Sequence, residues 1–418
     1  MKFIHTADLH LGKTYRNSRG AKDRYEDFFV MLGRIVARAV KEKVDFVLIG
    51  GDLFHTGQIL PRTFARTIEV LQPLKEAGIL CVAVEGNHDW IHRRDNISWM
   101  EALAQMGYLA LLRPQRQPDG GFLFQEFDSE LGCGGHLRLG DVNLYGVGYL
   151  GSQAGLHVPR ICQAVETKRN ILLFHVGIWT YSPVEIGNMS PEDALPLADV
   201  FDYVALGHGH KPYQVKTPAG SPYAFNPGSP ECVNFGEETY DKGFYLVSDE
   251  TGGLQAEFIA TQPRPMLSLS ISVDGAENLN LAEEQFRTEV ENLVDLKDQR
   301  PLLYLKLHGQ VGFHPFELNR EKIEQIIIPL CDPLHVEIRN QLQLADTTGD
   351  TTDRASLGLE QIEAEVLTQL ISAASDYQQQ APELAQLAIR LRDGVCQGLD
   401  EDSLLSLLAN RPATDEPA

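Results

Sequence analysis

The segment Phe46-Val47-Leu48-Ile49-Gly50-Gly51-Asp52-Leu53-Phe54-His55 decides how the chain is read. Four apolar residues, two of them β-branched, run without a break, the pattern of a strand buried on both faces. They stop at paired glycines, and an Asp and a His of metal-ligand type follow. Working outward, the same order recurs. Phe3-Ile4 leads to Asp8 and His10, and Leu80-Cys81-Val82-Ala83-Val84 leads to Gly86, Asn87, His88 and Asp89. Ile171-Leu172-Leu173-Phe174 ends at His175, and Tyr203-Val204-Ala205-Leu206 leads to Gly207, His208, Gly209 and His210. Between the runs lie helical spacings, such as Phe28, Phe29, Met31, Leu32, Ile35 and Val36, and then Phe64, Ile68, Leu71 and Leu74. Strands alternating with helices predict a layered α/β domain. Ligands of such sheets gather outside the carboxyl ends of the strands. Five strand ends then deliver six His, three Asp and one Asn to one edge, from a chain with 13 His in all.

The donor types indicate the metal. Imidazole, carboxylate and one amide oxygen, with no thiolate, suit Mn, Fe or Zn. The ligands are too many for one ion, and Asp52 is the natural bridge between two. Two metals about 3.5–4 Å apart form the clamp used in phosphoester hydrolysis. Each motif alone also has a plain structural reading: Gly-Asp is a common turn, and an isolated His is often a core residue. The weight lies in five of them in order, each just past a strand.

Composition narrows the class. The chain has 418 residues, enough for two to three domains. It has no apolar stretch of membrane-spanning length and no signal-peptide pattern, so no membrane partner is expected. The six cysteines are scattered without a CxxC pair, which fits a reducing compartment and predicts a cytoplasmic location. Net charge is −22. It is unevenly spread: residues 1–100 hold 15 Lys and Arg against 12 Asp and Glu, whereas residues 346–418 hold 4 against 14. The front of the chain can therefore meet a polyanion. The loop with Lys13, Arg16, Arg19, Lys22 and Arg24, and the one with His92, Arg93 and Arg94, would flank the metal edge and suit a phosphate backbone, although a solvated surface reads the same way. Few aromatics sit among them, so contacts to the backbone rather than base reading are expected.

Residues 1–260 make the first domain. From 265 to 345 a βαβαβ pattern predicts a small α+β domain, with strands at Leu267–Val273, Leu302–Leu307 and Leu334–Ile338 and helices at Ala282–Val294 and Arg320–Ile328. Asp346–Asp353 is polar and opens a linker set at 346–358. Helices follow over 359–411, the first with Leu359, Ile362, Val366, Leu370 and Ile371 on one face. Residues 412–418 are expected to be disordered.

The motifs Asp8-Leu9-His10, Gly51-Asp52-Leu53-Phe54-His55, Gly86-Asn87-His88-Asp89, His175 and Gly207-His208-Gly209-His210 resemble those of the calcineurin-like metallophosphoesterase superfamily. Within it, the opening Lys2-Phe3-Ile4-His5-Thr6-Ala7-Asp8-Leu9-His10-Leu11-Gly12 is similar to that of the SbcD nucleases, relatives of the meiotic-recombination-eleven nucleases. One departure is Cys232, in Gly228-Ser229-Pro230-Glu231-Cys232, where that branch often has Arg. The resemblance implies a β-sandwich flanked by helices, a small α+β capping domain and a helical C-terminal tail. It also implies two divalent ions, with manganese expected. Asp8, His10 and His210 would hold one and Asn87, His175 and His208 the other, with Asp52 bridging. His88 would protonate the leaving oxygen, Asp89 would orient His88, and His55 would help position a DNA phosphate. Lys13, Arg16, Arg19, Arg93 and Arg94 are the candidate DNA contacts.

The implied activity is metal-dependent hydrolysis of DNA, as a double-strand exonuclease and single-strand endonuclease in repair and recombination. The implied partners are DNA, an SbcC-type coiled-coil ATPase docked on residues 359–411, and a second copy of the chain through helices near Phe64–Leu74 and Ile97–Leu103. Two other readings are a metallophosphoesterase for a small phosphodiester or phosphomonoester, and an inactive scaffold. A scaffold should lack ligands, and none of the motif residues is missing.

Overall fold

Each of the five apolar runs is a strand, at Lys2–Thr6, Phe46–Ile49, Leu80–Ala83, Arg169–Phe174 and Tyr203–Leu206. The computed structural model describes residues 1–15, 18–90, 97–165, 169–183, 186–249, 253–345, 359–372, 380–396, 399 and 404–406. These five strands belong to two sheets. In the seven-stranded sheet, Lys2–Thr6, Phe46–Ile49, Leu80–Ala83, Ala110–Leu112 and Cys133–Gly134 run parallel in that order. Gly243–Ser248 and Gln255–Ala260 close its other edge antiparallel. The six-stranded sheet has the order Tyr213–Lys216, Pro222–Asn226, Tyr203–Leu206, Arg169–Phe174, Val142–Val147, His136–Leu139.

The runs are uninterrupted because both faces of each strand are covered. Phe3, Phe46, Leu48, Val82 and Val84 of one sheet meet Leu144, Ile171, Leu173, Tyr203 and Phe225 of the other, and this is the sandwich core. The alternate residues Ile4, Val47, Ile49 and Ala83 face outward, under helices Ala21–Glu42 and Pro61–Glu76. On the far side Tyr145, Leu172, Phe174, Val204 and Leu206 pack beneath helix Ala154–Gln163. Side chains alternate with period two along a strand, so one run feeds two cores. The expected sandwich flanked by helices is the observed architecture.

His5 lies wholly inside the sandwich, between Tyr203 Oη at 3.0 Å and the Leu206 carbonyl at 2.9 Å. Burial pushes its imidazole down to about 3, so it is a neutral core residue. Arg24 also departs from expectation. It is not a phosphate contact: it is 1% exposed and bonded to the equally buried Glu231 at 3.0 Å. Its guanidinium also lies over the Phe28 ring, 4.5 Å from the centroid. The helical spacing that faces Phe28 to the core carries Arg24, four residues earlier, with it.

Contacts group the chain into two compact units. One comprises Met1–Ile271, Arg287–Leu307 and Arg320–Asn340, and the other Ser272–Phe286, His308–Asn319 and Gln341–Ala418. Strands Met266–Ser272, Leu302–Val311 and His335–Leu344 make a three-stranded sheet in that order, and helices Leu279–Glu289 and Arg320–Cys331 lie between them in sequence. In the first unit Arg300 pairs with Asp23 and Asp332, and Arg264 grips Asp27 through two 2.7 Å bonds. In the second, helix Leu359–Ser372 packs against Ala381–Cys396, in which Ala381 and Ala385 are buried and Val366 and Leu370 of the first helix are exposed. The 346–358 linker and residues 412–418 lie outside the described residues. Among the described residues no helix is long and apolar enough to cross a membrane.

Candidate metal centre

The ligands reach one place because the loops after the strands are pinned to each other. Asp8 N–H donates to the Gly51 carbonyl at 3.1 Å, and His10 N–H to the Asp52 carbonyl at 3.0 Å. Asp8, His10, Asp52 and His208 all have positive φ, between 45° and 80°. Non-glycine residues adopt this region rarely, and such strain collects at functional sites. Gly86 approaches so closely that a Cβ there would lie 2.1 Å from Asp52 Oδ1.

Two sets of donors converge. Asp8, His10 and His210 bring one atom each within 4.8 Å of one another, and so do Asp52, His175 and His208. Asn87 Oδ1 completes the second set, 3.2 Å from His175 Nε2 and 2.9 Å from His208 Nδ1. Asp52 Oδ2 lies between the sets, 3.9 Å from His10 Nε2 and 3.5 Å from His175 Nε2. A third group joins His10 with His55 and His88. All seven residues expected to bind metal are therefore together.

The hydrogen bonds on the outer side of each ring test whether cations fit. His175 donates through Nδ1 to the Gly50 carbonyl at 2.7 Å, and His208 through Nε2 to the Ile186 carbonyl at 2.6 Å. His210 donates through Nδ1 to Glu237 Oε1 at 2.8 Å. In the neutral rings, each remaining nitrogen aims a lone pair inward. There it meets other acceptors: Asn87 Oδ1, Asp52 Oδ2, or His10 Nε2, which is 3.0 Å from His210 Nε2. Among the described residues, Asp8 Oδ2 is buried without a hydrogen-bond partner. Acceptors facing acceptors in a buried space need a proton or a metal ion between them. The residues fit two divalent ions.

Protonation divides the set: His10 and His208 are held neutral, while Asp8, His175 and His210 are pushed toward the protonated form that a metal ion would displace. Burial, reinforced by neighbouring imidazoles, holds His10 well below its usual range and His208 at about 4. Burial also raises Asp8 to about 6. At His175 burial opposes charge, but Asp52 beside it outweighs this and lifts the ring to about 9.

Asp89 does not orient His88. Its two oxygens accept from the backbone N–H of Phe54 at 2.9 Å, Gly86 at 2.9 Å and Leu53 at 3.2 Å, so it ties two ligand loops together. Burial and the nearby Asp52 carboxylate raise it to about 7. His88 Nδ1 donates instead to the His55 carbonyl at 2.8 Å, which leaves Nε2 for a ligand. The His55 and His88 rings stack at 5.5 Å, and His55 Nδ1 lies 3.3 Å from His10 Nδ1. A cavity of about 390 Å³ opens onto Asp52, Asn87, His88, His208 and His210. Lys13 Nζ reaches Asn234 Oδ1 at 3.4 Å, and Arg19 is exposed beside Asp332 at 3.6 Å. Arg16, Arg93 and Arg94 lie outside the described residues.

Sequence reasoning missed Glu237, the partner of His210, and the Ile186 carbonyl. Glu237 sits in Phe235-Gly236-Glu237-Glu238 and matches none of the motifs, while a carbonyl leaves no trace in a sequence.

An αββα sandwich with two adjoining oxygen and imidazole sites at its strand ends defines a two-metal phosphoesterase. Residues 1–212 match the calcineurin-like phosphoesterase family, and the chain belongs to it. Beyond the family, the chain is similar to archaeal proteins described as DNA double-strand break repair protein Mre11. That of Methanopyrus kandleri is 27% identical over 366 residues, 84% of this chain and 73% of the relative. That of Sulfolobus acidocaldarius is 26% identical over 319 residues, 74% of this chain and 76% of the relative. That of Saccharolobus solfataricus is 22% identical over 394 residues, 90% and 92% of the two chains.

Proposed function

We propose that the protein is a metal-dependent DNA nuclease that hydrolyses phosphodiesters in break repair, with both exonuclease and endonuclease action. The observation that carries the reading is the convergence of Asp8, His10, Asp52, Asn87, His175, His208 and His210, with His88 Nε2 left for a ligand beside it. The described identity of the archaeal relatives supplies the substrate. When bound, two divalent ions would activate a water and offset charge on the phosphoryl oxygens. Asp8, His10 and His210 would hold one, Asn87, His175 and His208 the other, and Asp52, between the two sets, would serve both. Manganese suits four imidazole donors better than magnesium does. His88 faces the scissile phosphate and gives a proton to the departing oxygen, with its ring fixed by the His55 carbonyl. His55 borders the same phosphate. Lys13, Arg16, Arg19, Arg93 and Arg94 contact the DNA backbone.

The experiment is incubation of purified protein with end-labelled duplex DNA and with a chromogenic phosphodiester, in Mn or Mg, with and without EDTA. Cleavage of DNA with Mn, weaker with Mg and absent with EDTA, is expected. Hydrolysis of the small ester alone would move the substrate to a small phosphodiester, and equal activity with Mg alone would count against the metal assignment.

The same reading makes residues 265–345 a DNA-capping domain and 359–411 the dock for an SbcC-type ATPase. It makes the working form a cytoplasmic homodimer. Support for the dimer is apolar surface beside helices Pro61–Glu76 and Trp99–Gln105, where Leu60, Ile97 and Met106 are exposed, although Phe64, Ile68, Leu71 and Leu74 pack into the core of their own chain. A monomeric mass at micromolar concentration would refute the dimer.

A further inference from the structure

The inward-facing histidines of the two metal positions differ in what holds them from behind. His175 and His208 donate to neutral carbonyls, of Gly50 and Ile186. His210 donates to a carboxylate, Glu237 Oε1. That carboxylate is nearly buried and fixed by further donors. Lys242 Nζ lies 2.6 Å from Oε2, and the backbone N–H groups of Val233 and Asn234 reach its two oxygens at 3.0 and 3.1 Å. Lys242 is itself buried and held by Ser229 Oγ at 2.8 Å, so its charge offsets that of Glu237 and lets the carboxylate stay ionised in the interior.

A carboxylate behind a ligating imidazole fixes its tautomer and raises its basicity more than a carbonyl does. The inner ligands differ in the same sense, since the Glu237-backed set contains the anionic Asp8 where the other has the neutral Asn87. We infer that Glu237 is a positioning residue for His210, and that it makes the two metal positions unequal. The ion on Asp8, His10 and His210 is held more tightly than the ion on Asn87, His175 and His208. This rests on the two-metal reading above and adds an order of filling: the Asp8 position is occupied first, and the Asn87 position responds to the free metal concentration.

The test needs no DNA. The full chain is stripped with EDTA, dialysed and titrated with Mn2+ by calorimetry, with elemental analysis of the metal retained. Two unequal steps are expected. In Asn87→Ala the weaker step should disappear and the tighter one remain. In Glu237→Gln, which keeps shape and whose one oxygen can still accept from His210 and Asn234 N–H, the tighter step should weaken by about 10–100-fold while the weaker one is unchanged. Should Glu237→Gln melt before titration, Glu237→Gln with Lys242→Met removes both buried charges together and should give the same isotherm. Two equal steps in the parent protein, or weakening of both steps or of neither in these variants, would overturn the inference. Two equal steps together with Mn-dependent DNA cleavage would leave the nuclease reading standing. Unequal steps without DNA cleavage would do the reverse.

Discussion

At the residue scale the site separates donors that converge as a candidate metal centre from a ring nitrogen left open to the cavity. His88 has one nitrogen committed to the His55 carbonyl and the other open to the cavity, whereas Asp52 Oδ2 lies between both ligand sets. His88→Ala should therefore lower cleavage by about 10²–10⁴-fold, the range for loss of a general acid, and keep both metals. Asp52→Ala should lose metal as well as activity. Elemental analysis beside the rate separates the two, and a metal-free His88→Ala would remove His88 from the leaving-group role. Asp89 shows how adjacency misleads. It follows His88 in sequence, yet the chain turns there and sends the carboxylate back to three amides of its own and a neighbouring loop. Only the backbone path decides which of two neighbours faces the ligand.

At the scale of elements, the first helix is anchored by charge as well as by apolar packing. Arg24 bonds Glu231 at 3.0 Å and Asp27 at 3.2 Å, and both Arg24 and Glu231 are almost fully buried. Removing one partner of such a pair leaves an uncompensated buried charge. Arg24→Met should cost about 3–5 kcal/mol of stability in urea denaturation, and Arg24→Met with Glu231→Gln should recover part of it. A loss below about 1 kcal/mol would mean that water reaches Glu231 when the guanidinium is gone. The elements themselves were largely legible. The strands predicted near 267–273, 302–307 and 334–338 and the helix from Arg320 are present, because their apolar periods are regular. The helix expected over Ala282–Val294 is shorter, ending at Glu289 before a 3₁₀ stretch from Glu291 to Gln299. Short strands such as Ala110–Leu112 and Cys133–Gly134 carry too few residues to show a period, and pairing with neighbours defines them.

Along the whole chain, charge is unevenly placed. Residues 1–100, which carry four of the seven candidate metal ligands, have a slight basic excess, while residues 346–418 are strongly acidic and would repel DNA. On helix Leu359–Ser372, Val366 and Leu370 are exposed one turn apart. If this face docks the ATPase, Val366→Glu with Leu370→Glu should abolish co-purification with it and leave the Mn-dependent nuclease activity of the isolated protein within about twofold, since surface changes of this kind cost little stability. Unchanged ATPase binding would overturn the docking assignment.

The sandwich strands and the seven candidate metal ligands were legible in the sequence, because buried parallel strands read as unbroken apolar runs and ligands gather at their carboxyl ends. Both signals are local, within about ten residues. Tertiary structure alone decided that Arg24 is a core ion pair, that Asp89 ties loops, and that Glu237 stands behind His210, 27 positions away in the chain. These are pairings between segments that folding brings together, and a hydrogen bond of that kind constrains a distance in space without imposing any period or spacing on the sequence.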